Sequence, residues 1–140
     1  MIVVDSNVVS ELMRAAPDAA VQGWVLAHKA AGLCTTSITV AEVRYGIGRL
    51  PDGRRKQLLG ELAEDIFSTF EDQILPFDTS AAMHYGTIVI NRDRLGLPID
   101  GFDAQIASIC SAHGAALCTR NVRDFHETGI ELIDPWHAGG

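Results

Sequence analysis

The chain has 140 residues, 47% of them hydrophobic and 21% charged, with a formal net charge of −7. That length suits one domain with one sizeable core, no apolar run approaches the roughly 20 residues needed to cross a bilayer, and no basic stretch leads an apolar one as in a secretory signal. The acidic balance weighs against holding nucleic acid by bulk charge alone, and the three widely spaced cysteines, Cys34, Cys110 and Cys118, weigh against a disulfide framework, so a cytoplasmic protein with buried, reduced thiols is expected.

Met1 to Val4 reads as a first strand, which runs directly into Asp5. Ser6 is placed to cap a short helix over 7–13, and Pro17-Asp18 opens another over about 18–28. A second strand, Leu33 to Thr35, follows Gly32. Ser37 then caps a helix carrying Ile38, Val40, Ala41, Val43 and Ile47. Asp52-Gly53 marks a turn, after which Leu58, Leu59, Leu62, Ile66 and Phe70 recur at helical spacing. A third strand over about 73–77 ends in Pro76 and Phe77, and Thr79 caps a long helix to about Arg94. Gly96 and Pro98 break the chain. A helix over roughly 101–113, capped by Asp100, carries Phe102, Ile106, Ile109 and Cys110 on one side and stops at Gly114. Ala115 to Thr119 and Ile130 to Ile133 complete five strands. Strands separated by helices predict an α/β fold over residues 1–140, with a central parallel sheet of about five strands and helices on both faces.

In such folds ligands bind beyond the carboxyl ends of the strands. Asp5 ends strand one. Glu42 lies in "TTSITVAEVRYG", one to two turns into the helix after strand two. Asp103 lies in "IDGFDAQIASIC", and Asn121 and Asp124 follow strand four. Each has a bland reading: Asp5 as a helix cap, Glu42 and Asp103 as solvated acids. Together they predict carboxylates gathering at one edge, where they stay ionised only with cations present. Hard oxygen donors without a thiolate or histidine cluster suit Mg²⁺ or Mn²⁺. Two such ions roughly 4 Å apart can activate water and steady a leaving oxygen. That chemistry needs no side-chain nucleophile, and the chain has no GxSxG, P-loop or Cys/His pair.

The order Asp5 in "IVVDSNVVSEL", Glu42 in "ITVAEVRYG", Asp103 in "FDAQIAS", then "TRNVRDF" and a closing "IDPW", resembles the PIN-domain ribonucleases. Within them it is similar to the VapC/FitB-type toxins of bacterial toxin–antitoxin pairs. The resemblance spans essentially the whole chain. It implies a metal-dependent endoribonuclease, neutralised by a small DNA-binding antitoxin of the VapB/FitA type and acting as a homodimer. It also implies that Asp5, Glu42 and Asp103 hold the metal. Relatives place their fourth acid at either of two positions, filled here by Asn121 and Asp124. Asp124 is taken as the fourth carboxylate, with Asn121 as a weaker ligand or a group orienting the metal-bound water. Asn7 and Thr119 would position Asp5 and the fourth acid, and Ser6 reads equally well as a cap.

Arg44, Arg120 and Arg123 are candidate contacts to RNA, and "RLPDGRRK" is either a phosphate-binding or a solvated hairpin. The five histidines show no metal spacing. The Leu58/Leu62/Ile66 stripe reads as core or subunit packing, or as a groove for an antitoxin helix. Trp24 and Trp136 either anchor an interface or pack. The competing functions are a binding module of the same fold with weakened catalysis, favoured by the amide at Asn121, or another Mg²⁺-dependent phosphoryl hydrolase. An aspartyl phosphatase would want an acid where Asn7 stands. A phospho-acceptor domain would want an acid pair at residues 4–5 and a late lysine.

Overall fold

Val3 and Val4, adjacent in the first strand, are both buried, yet they belong to different apolar clusters. The β-pleat sends successive side chains to opposite faces, so both faces of this sheet are covered, as a parallel sheet requires. The computed structural model describes residues 1–137. The last three residues of the expected domain lie outside it.

Strand β1 is Ile2–Val4, followed by α1 (Ser6–Leu12) and α2 (Ala19–His28). After a 3-10 turn at Lys29–Ala31 come β2 (Leu33–Thr36), α3 (Ser37–Gly48) and α4 (Arg54–Ser68). Then follow β3 (Ile74–Leu75), α5 (Thr79–Arg94), α6 (Gly101–His113) and β4 (Ala116–Cys118). A 3-10 turn at Val122–Phe125 leads to β5 (Leu132–Ile133). All strand pairs are parallel, in the order β3-β2-β1-β4-β5. Val3, Cys34 and Leu117 pack under α5 and α6 with Ile88, Ile106 and Phe125. Val4 and Cys118 pack under α1 to α4 with Val8, Trp24, Val43 and Phe67. The expected five-stranded α/β sandwich is present.

Three helix starts differ from expectation by one residue. Asp5, not Ser6, caps α1; Thr36, not Ser37, caps α3; Asp78, not Thr79, caps α5. In each case the capping residue is still extended, and its side-chain oxygen accepts a backbone N–H from the first turn. An N-cap must lie outside the helical φ/ψ region, so the cap falls to the residue that ends the preceding extended segment. Asp18 and Asp100 cap α2 and α6, and Gly114 ends α6 in the left-handed region at φ 62°. β3 stops before Pro76, which has no N–H for the ladder, and Phe70 lies past the end of α4 while still packing on its cluster.

The central strand β1 is flanked by β2 on one side and β4 on the other. Chain connections therefore leave β1 and β4 in opposite directions. The crevice this opens at their carboxyl ends is where the fold places ligands.

Candidate active site

Val4 pairs with Cys118 across β1 and β4, so Asp5 and Thr119 are the next residues beyond the ladder on each strand. The Asp5 amide still donates to the Cys118 carbonyl at 2.9 Å. The Asp5 side chain is 3% exposed and fully engaged. Oδ1 accepts the Ser6 N–H at 2.8 Å, and Oδ2 accepts the Thr119 hydroxyl at 2.8 Å and the Asn7 amide at 3.3 Å. Thr119 Oγ1 in turn accepts from Asn7 Nδ2 at 3.1 Å and from the Asn121 N–H at 3.0 Å. Asn7 closes the network by accepting the Arg120 N–H at 3.1 Å. Burial pushes the Asp5 carboxyl above its ordinary value, and the bonds from Thr119, Ser6 and Asn7 oppose that rise.

Glu42 projects from the second turn of α3. Its Oε1 is buried with no hydrogen-bond partner among the described residues, a costly condition for a carboxylate. Burial, then the charges of Asp5, Asp103 and Asp100, push its carboxyl up to about 7, with the Ser6 hydroxyl working the other way. Asp103 sits in the first turn of α6. Burial, then Asp5, Asp100 and Asp124, push it up to about 7, and Arg92 opposes them. The acids expected at one edge thus lie within range of one another's fields. Asp124 acts on Asp103 from the exposed 3-10 turn that Phe125 pins to the core. Asn121, at the start of that turn, is tied instead to Thr119 through its backbone N–H. Asp124 therefore bears on the Asp103 side of the site, and Asn121 on the Asp5 side.

The donor set is all oxygen, with one buried oxygen unclaimed, and that chemistry suits a hard divalent cation. Among the described residues no group of three or more His, Cys, Asp or Glu side chains is arranged to hold a metal ion. Like charges in a partly buried cavity work against a closed arrangement.

Two contributors lie outside the expected site residues. Asp100 does cap α6, accepting from the Phe102 N–H at 3.1 Å, but its charge also reaches both Glu42 and Asp103. Arg92 is 5% exposed. Its guanidinium donates to the carbonyls of Leu97, at 2.6 Å, of Pro98 and of His126. It ties the loop leading to Asp103 to the end of the segment carrying Asp124. Its position continues the buried face of α5 through Ala81 and Ile88, and that spacing was the available signal.

The candidate RNA contacts divide. Arg44 points away into an ion pair with Glu64 at 2.7 Å. Arg120 and Arg123 are exposed beside the site. In the α3–α4 hairpin Lys56 is engaged by Asp52 and the Gly48 carbonyl, and Arg49 lies over Tyr45. The cysteines are free and buried, with the thiols of Cys110 and Cys118 pushed up to about 12 by burial. Between α1, α3 and α4 runs an open, largely apolar groove of about 1150 Å³, lined by Met13, Ile47, Leu58, Leu59 and Leu62 and reaching Ser6 and Glu42 at one end.

Comparison with known proteins agrees with this fold. Residues 2–131 match the PIN domain family. The chain is 36% identical to a VapC ribonuclease, Y4jK, of Sinorhizobium fredii over 97% of this chain and 98% of the relative. It is 33% identical to the toxin FitB of Neisseria gonorrhoeae over 98% and 99% of the two chains. A solved structure of FitAB bound to a DNA fragment superposes with a TM-score of 0.91 at 33% identity, covering 98% of this chain and 96% of that one. The chain belongs to the PIN-domain family, among its VapC- and FitB-like members.

Proposed function

We propose that this chain is a divalent-metal-dependent endoribonuclease toxin of the cytoplasm, kept inactive by a small DNA-binding antitoxin. The observation that carries the reading is the buried, unpartnered Glu42 oxygen within the fields of Asp5 and Asp103. A cluster that leaves a carboxylate oxygen unsatisfied and crowds like charges around it has an unmet demand for positive charge.

Asp5, Glu42, Asp103 and Asp124 are the carboxylates that would hold Mg²⁺ or Mn²⁺, with Asn121 as the weaker donor beside them. The bound ion supplies Lewis acidity, which makes water nucleophilic near neutral pH and steadies the leaving oxygen of a phosphodiester. The chain's own work is positional. Thr119 and Asn7 hold Asp5 Oδ2, and the Ser6 N–H holds Oδ1, so the central carboxylate sits in one orientation. Ligands fixed in this way bind metal more tightly than free ones. Arg120 and Arg123, beside the acids, are placed for the phosphates of the strand. The Asn7 amide that grips Asp5 stands where an aspartyl phosphatase would need its acid, which disfavours that chemistry.

The apolar groove running to Glu42 suits an amphipathic antitoxin segment whose polar end reaches the acids. Met83 and Ile90, exposed seven residues apart on α5, provide apolar surface for a second copy in a homodimer. No helix among the described residues is long and apolar enough to cross a membrane.

The test is cleavage of a panel of structured RNAs by wild type and Asp5→Asn, with Mg²⁺, with Mn²⁺ and with EDTA. Cleavage that needs the ion and is lost in Asp5→Asn is expected. Cleavage surviving both EDTA and the substitution would sink the mechanism. RNA binding without cleavage under either ion would favour the weakened binding module.

A further inference from the structure

We propose that Trp136 holds the Arg120 guanidinium as a platform on which one unpaired RNA nucleotide stacks beside the acidic centre. The proposal rests on the ribonuclease reading above and adds a subsite to it.

Arg120 directly follows Thr119, the partner of Asp5. Its backbone N–H is fixed on Asn7 Oδ1, so the residue is anchored to the network that orients Asp5. Its guanidinium carbon lies 4.9 Å from the centre of the Trp136 ring. Trp136 follows β5 and packs against the apolar cluster on the α1–α4 side of the sheet. Its backbone N–H donates to Asp134 Oδ1 at 2.9 Å, and the other Asp134 oxygen is taken by the His137 ring, also at 2.9 Å. Asp134 is thus occupied in shaping the turn. Among the described residues Arg120 makes no ion pair, unlike Arg14 and Arg44.

An exposed arginine ordinarily samples many rotamers. Resting on an indole, it is restrained without losing its charge. The guanidinium lies over the ring while Arg120 stays exposed to solvent, so its outer side remains available. A nucleobase stacks readily on such a plane, and the N–H fork at its edge suits a phosphate. Bases inside a duplex have both faces covered, so the platform takes only an unpaired nucleotide. With a net charge of −7 the chain has little bulk attraction for RNA, and a built contact of this kind supplies a local one. The other arginine on a ring, Arg49 over Tyr45, stands about two turns beyond Glu42 along α3 and serves as a charge-matched control.

The experiment measures binding of single-stranded oligouridine, and of the same strand paired with oligoadenosine, to full-length Asp5→Asn protein in EDTA. Into that background go Arg120→Ala, Trp136→Ala, Trp136→Phe, Arg120→Ala/Trp136→Ala and Arg49→Ala, each checked for folding by thermal melting. Arg120→Ala and Trp136→Ala should each weaken single-strand binding about tenfold. The double variant should be no weaker than Arg120→Ala alone, Trp136→Phe should restore most of the affinity, and duplex binding and Arg49→Ala should change little. Equal losses for duplex and single strand would reduce Arg120 to a phosphate contact and overturn the stacking platform. Unchanged binding in Arg120→Ala, a surface variant with no folding burden, would overturn the subsite while leaving the ribonuclease reading intact. Absence of single-strand binding by the Asp5→Asn protein itself would overturn the subsite, and the ribonuclease reading would then stand or fall on metal-dependent cleavage of structured RNA by wild type.

Discussion

The Thr119 hydroxyl donates to Asp5 Oδ2 at 2.8 Å across the crevice between β1 and β4, joining residues 114 apart in the chain. Thr119 Oγ1 itself accepts from the Asn7 amide and from the Asn121 N–H, so one buried hydroxyl orients the central acid and the start of the segment carrying Asp124. Thr119→Val keeps the shape and removes donor and acceptor together. It should lower Mn²⁺ affinity, read by the paramagnetic signal of the free ion, and RNA cleavage by about 10- to 100-fold. The fold should lose about 1–3 kcal/mol in urea unfolding, because the Asn121 N–H and the Asn7 amide lose an acceptor. Thr119→Ser should retain most of both. Equal Mn²⁺ affinity in wild type and Thr119→Val would show that Asp5 needs no such support.

Glu42 and Asp103 ordinarily titrate near 4.5 and 3.8, and in this fold both are pushed up to about 7. Folded-state values above the unfolded ones mean that the native chain binds more protons than the unfolded chain between about pH 4 and pH 7. The contribution of these groups is fully present below that window and is lost as pH rises through it. In EDTA the urea midpoint should therefore decline from about pH 5 to about pH 8. Saturating Mg²⁺, which binds the ionised cluster, should recover much of that decline at the upper end by mass action. A midpoint in EDTA that rises steadily over the same range would contradict the crowding of these acids.

Much of this centre follows from elementary patterns in the chain. An apolar run of four ending in a carboxylate predicts a buried strand that presents Asp5 at its tip, and the parallel sheet then assigns that tip to the ligand edge. Glu42 and Asp103 stand out because their apolar helix neighbours do not mark an obvious solvated face, although each alone also reads as a solvated acid. What periodicity could not supply is contact between elements distant in sequence. Thr119 as the hub of the Asp5 network depends on β4 being the neighbour of β1, a matter of strand order. Glu11 is a further case. It is 5% exposed and accepts the Asp18 N–H at 2.9 Å while pairing with Arg14, and nothing in its local spacing separates it from a surface acid. The helix caps were displaced by one residue because serine, threonine and aspartate adjoin one another at each start, and only the backbone angle chooses between them.

Arg92 is a charged residue on a core-facing stripe, and its cost is offset by three carbonyl acceptors rather than by a carboxylate. Arg92→Met fills similar space without a donor, leaving the carbonyls of Leu97, Pro98 and His126 short of a partner. The expected loss is about 2–4 kcal/mol in urea unfolding, within the range for a broken buried network. The spacing between the loop before Asp103 and the segment after Asp124 should loosen as well. Cleavage by the folded fraction, measured well below the melting temperature, should then fall by more than the surface variant Arg49→Ala causes. An Arg92→Met protein as stable as wild type would mean that the carbonyls find water instead.

The fourth acid is decided by comparing Asp124→Asn with Asn121→Ala. The charge of Asp124 reaches Asp103, whereas Asn121 is a neutral amide, and an amide is a weaker partner than a carboxylate for a hard cation. The tie of Asn121 to Thr119 runs through its backbone N–H, which alanine keeps. Asp124→Asn should therefore lower cleavage at least about tenfold and weaken Mn²⁺ binding by a similar factor, while Asn121→Ala stays within about threefold of wild type. Both residues are exposed on a turn anchored by Phe125, so neither change should move the melting temperature and the kinetic comparison is free of a folding effect. If Asp124→Asn cleaves at the wild-type rate while Asn121→Ala does not, the fourth position belongs to Asn121. In that case the site uses three carboxylates and an amide, and Asn121→Asp should then raise Mn²⁺ affinity above that of the natural chain.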